Sequence, residues 1–193
     1  MGRVEPIPPR AWPEGMAEAL AAAYRPSNPR HPLPPRDAAS PKGLNAMGVL
    51  AHHPVLAEAY NQLIRHALYF STITPRQREL LILRVAHRRG AAYEWAQHVY
   101  QAGVAGITPE EVARVRGGPD AEGWAPLERA LLAAADELVS EARIADETYA
   151  ALSRELDTRQ LMDVVFIVGA YEVFAMAMLT FDVELDDDLR PYA

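Results

Sequence analysis

The stretch Glu79-Leu80-Leu81-Ile82-Leu83-Arg84-Val85-Ala86-His87-Arg88-Arg89-Gly90-Ala91-Ala92-Tyr93-Glu94-Trp95-Ala96-Gln97-His98 decides the fold class. Its apolar residues recur at helical spacing, and only Gly90 breaks the pattern. Just upstream, Thr74-Pro75 followed by Gln77 spells a capping box with a first-turn proline. These signals predict one helix from Thr74-Pro75 to Arg89 and a second from Ala91 to about Ala102, stopped by Gly103. A connection as short as Gly90 makes them antiparallel or steeply crossed neighbours, so a residue of the first can reach the second.

Outward from this pair the pattern stays helical. Pro54 opens a helix to about Phe70, with Val55, Leu56, Leu63, Ile64 and Leu68 at helical spacing. Thr108-Pro109-Glu110-Glu111 is another capping box and opens a short helix to Arg116. A loop, Gly117-Gly118-Pro119-Asp120, precedes a helix from Pro126 to about Glu141, whose Leu127, Leu131, Ala134, Ala135 and Leu138 face inward. Asp146 begins a helix to about Leu156, and Asp157-Thr158-Arg159-Gln160 caps a last one to about Phe181. The run Val164-Val165-Phe166-Ile167-Val168 is β-prone locally, but its length and cap read as a buried helix. The fold class is all-α. Ten of the 16 prolines lie before residue 44. Residues 1–43 therefore read as an extended, Pro-rich arm with one short helix from Pro13 to about Tyr24, packed on the domain or on a neighbouring subunit. Residues 44–185 read as the helical domain, and 186–193 as an acidic, solvated tail.

Composition removes several classes of function. The 193 residues carry a net charge of −7, and Lys42 is the sole lysine, which argues against a nucleic-acid partner. No apolar run approaches 18 residues without a charge, and the first residues lack an apolar signal core, so no membrane span is expected and the default location is cytoplasmic. There is no cysteine, which rules out disulfides, thiolate metal sites and thiol catalysis.

Glu94 and His98 stand four apart, on one helix face and roughly 6 Å apart along the axis. Glu79 shares a face with Ile82, Leu83 and Ala86 and so points inward. A histidine beside a carboxylate has its tautomer fixed and its imidazolium stabilised, while a carboxyl in an apolar pocket is pushed toward neutrality. Together these make a general acid–base pair. Spacing by itself leaves two further readings open: a plain surface pair, and an O/N/O metal-ligand set of Glu79, Glu94 and His98.

The region resembles the carboxymuconolactone decarboxylase family, which includes the AhpD-like alkylhydroperoxidases. The redox branch of that family carries Glu, eleven residues, Cys, two residues, Cys, three residues, His. Glu79 and His98 occupy the ends of this pattern; Ala91 and Glu94 occupy the two thiol positions. The likeness extends through Gly90-Ala91-Ala92-Tyr93-Glu94-Trp95 and Trp124…Glu128-Arg129-Ala130-Leu131-Leu132, and covers about residues 44–185. It implies an AhpD-like helical domain assembled as a homo-oligomer, a trimer or hexamer, with sites near subunit contacts. It also implies a decarboxylase-type lyase acting without a cofactor on a small carboxylated lactone or related organic acid. In that reading His98 shuttles the proton and Glu79 orients it, with Glu94 as a second acid where the family has a thiol. A peroxidase is excluded by the missing thiolate. A non-catalytic binder of the same fold is the alternative.

Beyond the motif, Tyr93, Tyr171 and Glu172 are the candidates for substrate contacts. Trp95, Phe174, Met176 and Met178 read first as core. The acidic run Asp182-Val183-Glu184-Leu185-Asp186-Asp187-Asp188 lacks the glycine and closing glutamate of a calcium loop. His52-His53-Pro54 reads as a helix cap.

Overall fold

The capping signals start helices at the positions the sequence marks. The computed structural model describes residues 2–22 and 40–193. These form α1 (Met16–Ala22), α2 (Leu44–Leu50), α3 (Pro54–Tyr69), α4 (Pro75–Arg89), α5 (Ala92–Val104), α6 (Pro109–Val115), α7 (Pro126–Glu141), α8 (Asp146–Leu152) and α9 (Thr158–Thr180), with no strand among them. The Thr74 hydroxyl accepts from the Gln77 amide at 3.2 Å and Gln77 returns the bond at 2.8 Å. Thr108 with Glu111 and Asp157 with Gln160 close equivalent boxes. Arg76 ties three helix starts together: it donates to Glu111 at 2.6 Å and to Glu128 at 2.7 Å, the acids that cap α6 and α7.

The fold is arranged around α4. Every residue from Arg78 to Ala86 is buried. Leu81, Ile82 and Val85 join Leu131, Ala134, Val164, Ile167 and Tyr171 in a core shared with α7 and α9. Leu80, Leu83 and Ala86 join Trp95, Val112, Val115 and Trp124 in a second core on the other side. A helix enclosed all round needs partners for its charges. Arg84 finds them in Asp136, bonded at 2.6 and 2.7 Å, and in the carbonyls of Val115 and Arg116. Gly90, at φ 63°, ends α4 in the left-handed conformation and turns the chain directly into α5.

The last helix has two characters. By length and composition α9 could cross a membrane, with a mean hydropathy of 1.8 over its best window, yet 56% of that window is buried inside the protein. Asp163 and Glu172 interrupt it, one bonded to His66 and Thr72, the other paired with Arg89.

Several boundaries differ from the sequence reading. The arm helix begins at Met16 rather than Pro13, because Gly15 sits at φ +95° and cannot continue a helix; its expected end at Tyr24 lies outside the described residues. Helix α5 runs through Gly103 to Val104, and Gly106 at φ 79° follows the turn instead. The loop at 117–120 contains a 3-10 turn, Gly118–Asp120. Helix α8 stops at Leu152, where tight turns bring Leu156 into the core ahead of the α9 cap.

The ends of the chain also pack. Ile7 and Trp12 of the arm rest on Met16, Ala19, Ala51 and Ala57. The arm crosses α2 at Gly48, where a Cβ would stand 2.7 Å from the Ile7 carbonyl. The acidic tail is not wholly solvated: Leu189 is fully buried, and Asp186 accepts from the Asn45 amide and the Tyr93 hydroxyl. Two apolar anchors, Leu185 and Leu189, pull it onto α5. The His53 cap is confirmed by its ring accepting from Leu56.

Candidate active site

Glu79 and His98 meet across the α4–α5 pair that Gly90 folds back. His98 Nδ1 lies 2.7 Å from Glu79 Oε2, and both side chains are buried. The other carboxylate oxygen accepts from Arg78 Nε at 2.9 Å, and Arg78 donates onward to the Leu68 carbonyl. Burial alone would raise the Glu79 pKa. The charges of His98 and Arg78, with their hydrogen bonds, outweigh it and hold this carboxyl below its ordinary value. An ionised carboxylate only accepts, so Nδ1 carries the hydrogen and the neutral ring presents Nε2 as an acceptor. Nε2 has no hydrogen-bond partner among the described residues. The Tyr171 ring meets the imidazole edge-on, centroids 4.8 Å apart, and fixes its plane.

His98 and Tyr171 open on a cavity of about 150 Å³. Helix α3 supplies Tyr60, Asn61, Ile64 and Leu68, α5 adds Gln97 and Gln101, and Met47 and Phe174 complete it. Tyr60 is held by its hydroxyl donating to the Ala170 carbonyl and by stacking on Phe174. Asn61 is anchored to the Ala19 carbonyl. The Tyr171 hydroxyl makes no hydrogen bond among the described residues, and burial, followed by the Glu79 charge, pushes its pKa well up, so it stays a donor. An apolar cavity of this size accommodates a benzene-sized molecule.

The structure separates the other expected site residues from this cavity. Glu94 is fully buried one turn before His98, but it neither bonds to His98 nor lines the cavity. Both its oxygens lack a partner among the described residues. Burial first, then the nearby Glu172 charge, raises its pKa well above the ordinary value, so it is a neutral acid. Tyr93 is drawn the other way, donating to Asp186 at 2.5 Å and accepting from the Ala46 amide. Glu172 is taken by a bidentate pair with Arg89. Of the three expected substrate contacts, only Tyr171 faces the cavity. No cluster of three metal-ligating side chains exists among the described residues, so Glu79, Glu94 and His98 do not converge as a ligand set. Tyr60 and Asn61 escaped the sequence reading. Their one signal is a polar Asn amid the apolar face of α3.

With this geometry in hand, residues 54–137 match the model of the Carboxymuconolactone decarboxylase family. That segment is similar to the family. Its Glu79–His98 pair is the family pattern seen in the sequence, here without thiols. Two solved structures show the same fold. The debrominase Bmp8, as a cysteine-to-alanine variant in complex with 2,3,4-tribromopyrrole, is 17% identical, with a TM-score of 0.73 over 98% of this chain and 94% of that one. The alkylhydroperoxidase AhpD core of an uncharacterized peroxidase-related protein from Ralstonia eutropha is 18% identical, with a TM-score of 0.67 over 75% of this chain and 78% of that one. No curated protein matches the chain significantly.

Proposed function

We propose that this carboxymuconolactone decarboxylase-type chain is a cofactor-independent lyase that decarboxylates a small carboxylated lactone or related organic acid by proton transfer. One observation carries the reading: a buried, ionised Glu79 pins Nδ1 of His98, and the free Nε2 belongs to a ring that lines a small apolar cavity. For the step, His98 starts with a solvent-derived proton on Nε2 as well as the hydrogen on Nδ1. In the step, the bond from the ring carbon to the substrate carboxylate breaks and CO2 leaves. The electron pair moves toward the lactone carbonyl oxygen, and His98 Nε2–H delivers its proton to the carbon. Solvent then reprotonates His98. Tyr171 donates its free O–H to the oxygen that gains charge. Glu79 is a positioning residue and stays ionised through the step. The debrominase of the same fold binds a single substituted five-membered ring, which agrees with the size of this cavity. The absence of cysteine removes thiol-based peroxide reduction.

The test is CO2 release from a panel of carboxylated five-membered lactones. Turnover by the native chain and its loss in His98→Ala, with the helical circular dichroism kept, is the expected result. Unchanged turnover in His98→Ala would refute the assignment. A second reading, a non-catalytic binder of a small apolar molecule, is favoured by the mostly apolar cavity lining. Retained ligand affinity in His98→Ala, with no turnover by either protein, would select it.

A further inference from the structure

Helix α3 walls a second cavity, of about 350 Å³, with residues other than those it gives to the first. Leu63 and His66 face this one, and α9 adds Arg159, Met162 and Phe166. The three stand at i, i+3 and i+7, with Asp163 at i+4, so one face of α9 carries all four. His66 Nε2 lies 2.8 Å from Asp163 Oδ1, and the Thr72 amide and hydroxyl both donate to Asp163 Oδ2. Burial alone would raise the Asp163 pKa. The Thr72 hydrogen bonds, then His66, outweigh it and hold the carboxyl below its ordinary value. An ionised Asp163 only accepts, so Nε2 carries the hydrogen and the neutral ring offers Nδ1 as an acceptor. Nδ1 has no hydrogen-bond partner among the described residues. Arg159, one turn before Asp163, is exposed and has no ion pair among the described residues. Asp163 does not neutralise it, because both carboxylate oxygens are already taken.

We propose that this cavity is a binding site for a small aromatic carboxylate that carries a hydroxyl group on its ring. Arg159 holds the carboxylate, its planar fork matching the two oxygens. The hydroxyl donates to His66 Nδ1, whose direction the Asp163 bond fixes. The ring packs on Leu63, Met162 and Phe166, where a thioether and an aromatic face both favour an aromatic partner. Each group excludes a simpler occupant. An inorganic anion leaves the apolar walls and the acceptor unused, and a plain hydrocarbon leaves Arg159 unused. Arg159 stands about 6 Å along the helix axis from Asp163, so the anchor and the His66 end are separated on the scale of one substituted ring. The site is independent of the chemistry proposed at His98, and no bond of the ligand is made or broken in it.

The test is calorimetric titration of 4-hydroxyphenylacetate into the full chain. Expected is saturable binding to the native chain and equally to His98→Ala, which alters only the other cavity. 4-Methylphenol, which lacks the carboxylate, binds the native chain about tenfold or more weakly, the scale of one lost hydrogen bond to a charged group. In Arg159→Gln, an exposed position where substitution leaves the fold intact, 4-hydroxyphenylacetate loses the same factor and 4-methylphenol loses none. His66→Ala abolishes the preference for 4-hydroxyphenylacetate over phenylacetate, which lacks the hydroxyl, at unchanged helical circular dichroism. The Arg159 comparison does not depend on His66→Ala folding. No saturable binding, binding lost in His98→Ala, an unchanged affinity in Arg159→Gln, or a hydroxyl preference that survives in His66→Ala overturns the proposal.

Discussion

Substituting Glu94 by Gln separates the buried acid from the working site. The carboxyl is enclosed, has no hydrogen-bond partner among the described residues, and is held neutral by burial and by the Glu172 charge. Gln keeps the shape and polarity but cannot ionise. Folding raises the Glu94 pKa above its ordinary value of 4.5. Over the range between these two values the native state keeps a proton that the unfolded chain has lost. Stability contributed by this group is therefore greatest below the ordinary value, falls as pH climbs through that range, and levels off above the folded pKa. One proton gives a slope of about 1.4 kcal/mol per pH unit. The variant lacks that slope, so it matches the native chain near pH 4.5 and exceeds it increasingly toward neutrality. At roughly 2–4 °C of Tm per kcal/mol for a chain of this size, the Tm gap widens by about 3–6 °C per pH unit. Thermal unfolding of both proteins across mildly acidic to neutral buffers measures it, and every other titrating group cancels in the difference. Parallel curves, or a variant less stable at neutral pH, would refute the reasoning and show that Glu94 has a partner that ionises it. Turnover is expected to persist, because Glu94 is not on the cavity wall.

Glu79→Gln removes the carboxylate charge beside the buried Arg78 guanidinium and costs about 3–5 kcal/mol. The Glu79 pKa is depressed by folding, so its stabilisation is present above the ordinary value and fades as pH falls through the folded value; denaturant melts should show the native–variant gap closing in acid. Asp136→Ala removes the carboxylate bonded to Arg84 at 2.6 and 2.7 Å and should destabilise by a similar few kcal/mol, about 3–5, without changing KM. Tyr171→Phe keeps the ring packed on His98 and deletes the free hydroxyl. Tm should stay within a few degrees, while kcat falls and KM changes little, which steady-state kinetics on an active substrate would check.

What the sequence revealed depends on how local each signal is. Thr74, Pro75 and Gln77 lie within one turn, and so do Asp157 and Gln160, so the starts of α4 and α9 were legible. The Glu79–His98 contact was legible because only Gly90 and Ala91 join the two helices, which leaves few arrangements. Tyr93 was misplaced because the residue that captures it, Asp186, comes 93 positions later in a tail that its charge alone suggested was solvated. Tyr60 and Asn61 reach the cavity from α3, which packs across α9 by long-range contacts that no spacing records. Glu172 read as a pocket acid because its partner Arg89 belongs to a distant helix.

The placement of α4 between two apolar cores has a consequence for motion. A helix with one face in water can fray while the rest of the protein stays folded, but α4 cannot open without exposing Leu81, Ile82 and Val85 on one side and Leu80 and Leu83 on the other. Its amide hydrogens should therefore exchange with solvent only through global unfolding, among the slowest in the chain. Glu79 thus sits on the slowest-moving backbone available. Fluctuations that admit or release a molecule fall to the short helix α2, which carries Met47, and to the α3 wall, while the anchor of His98 stays still.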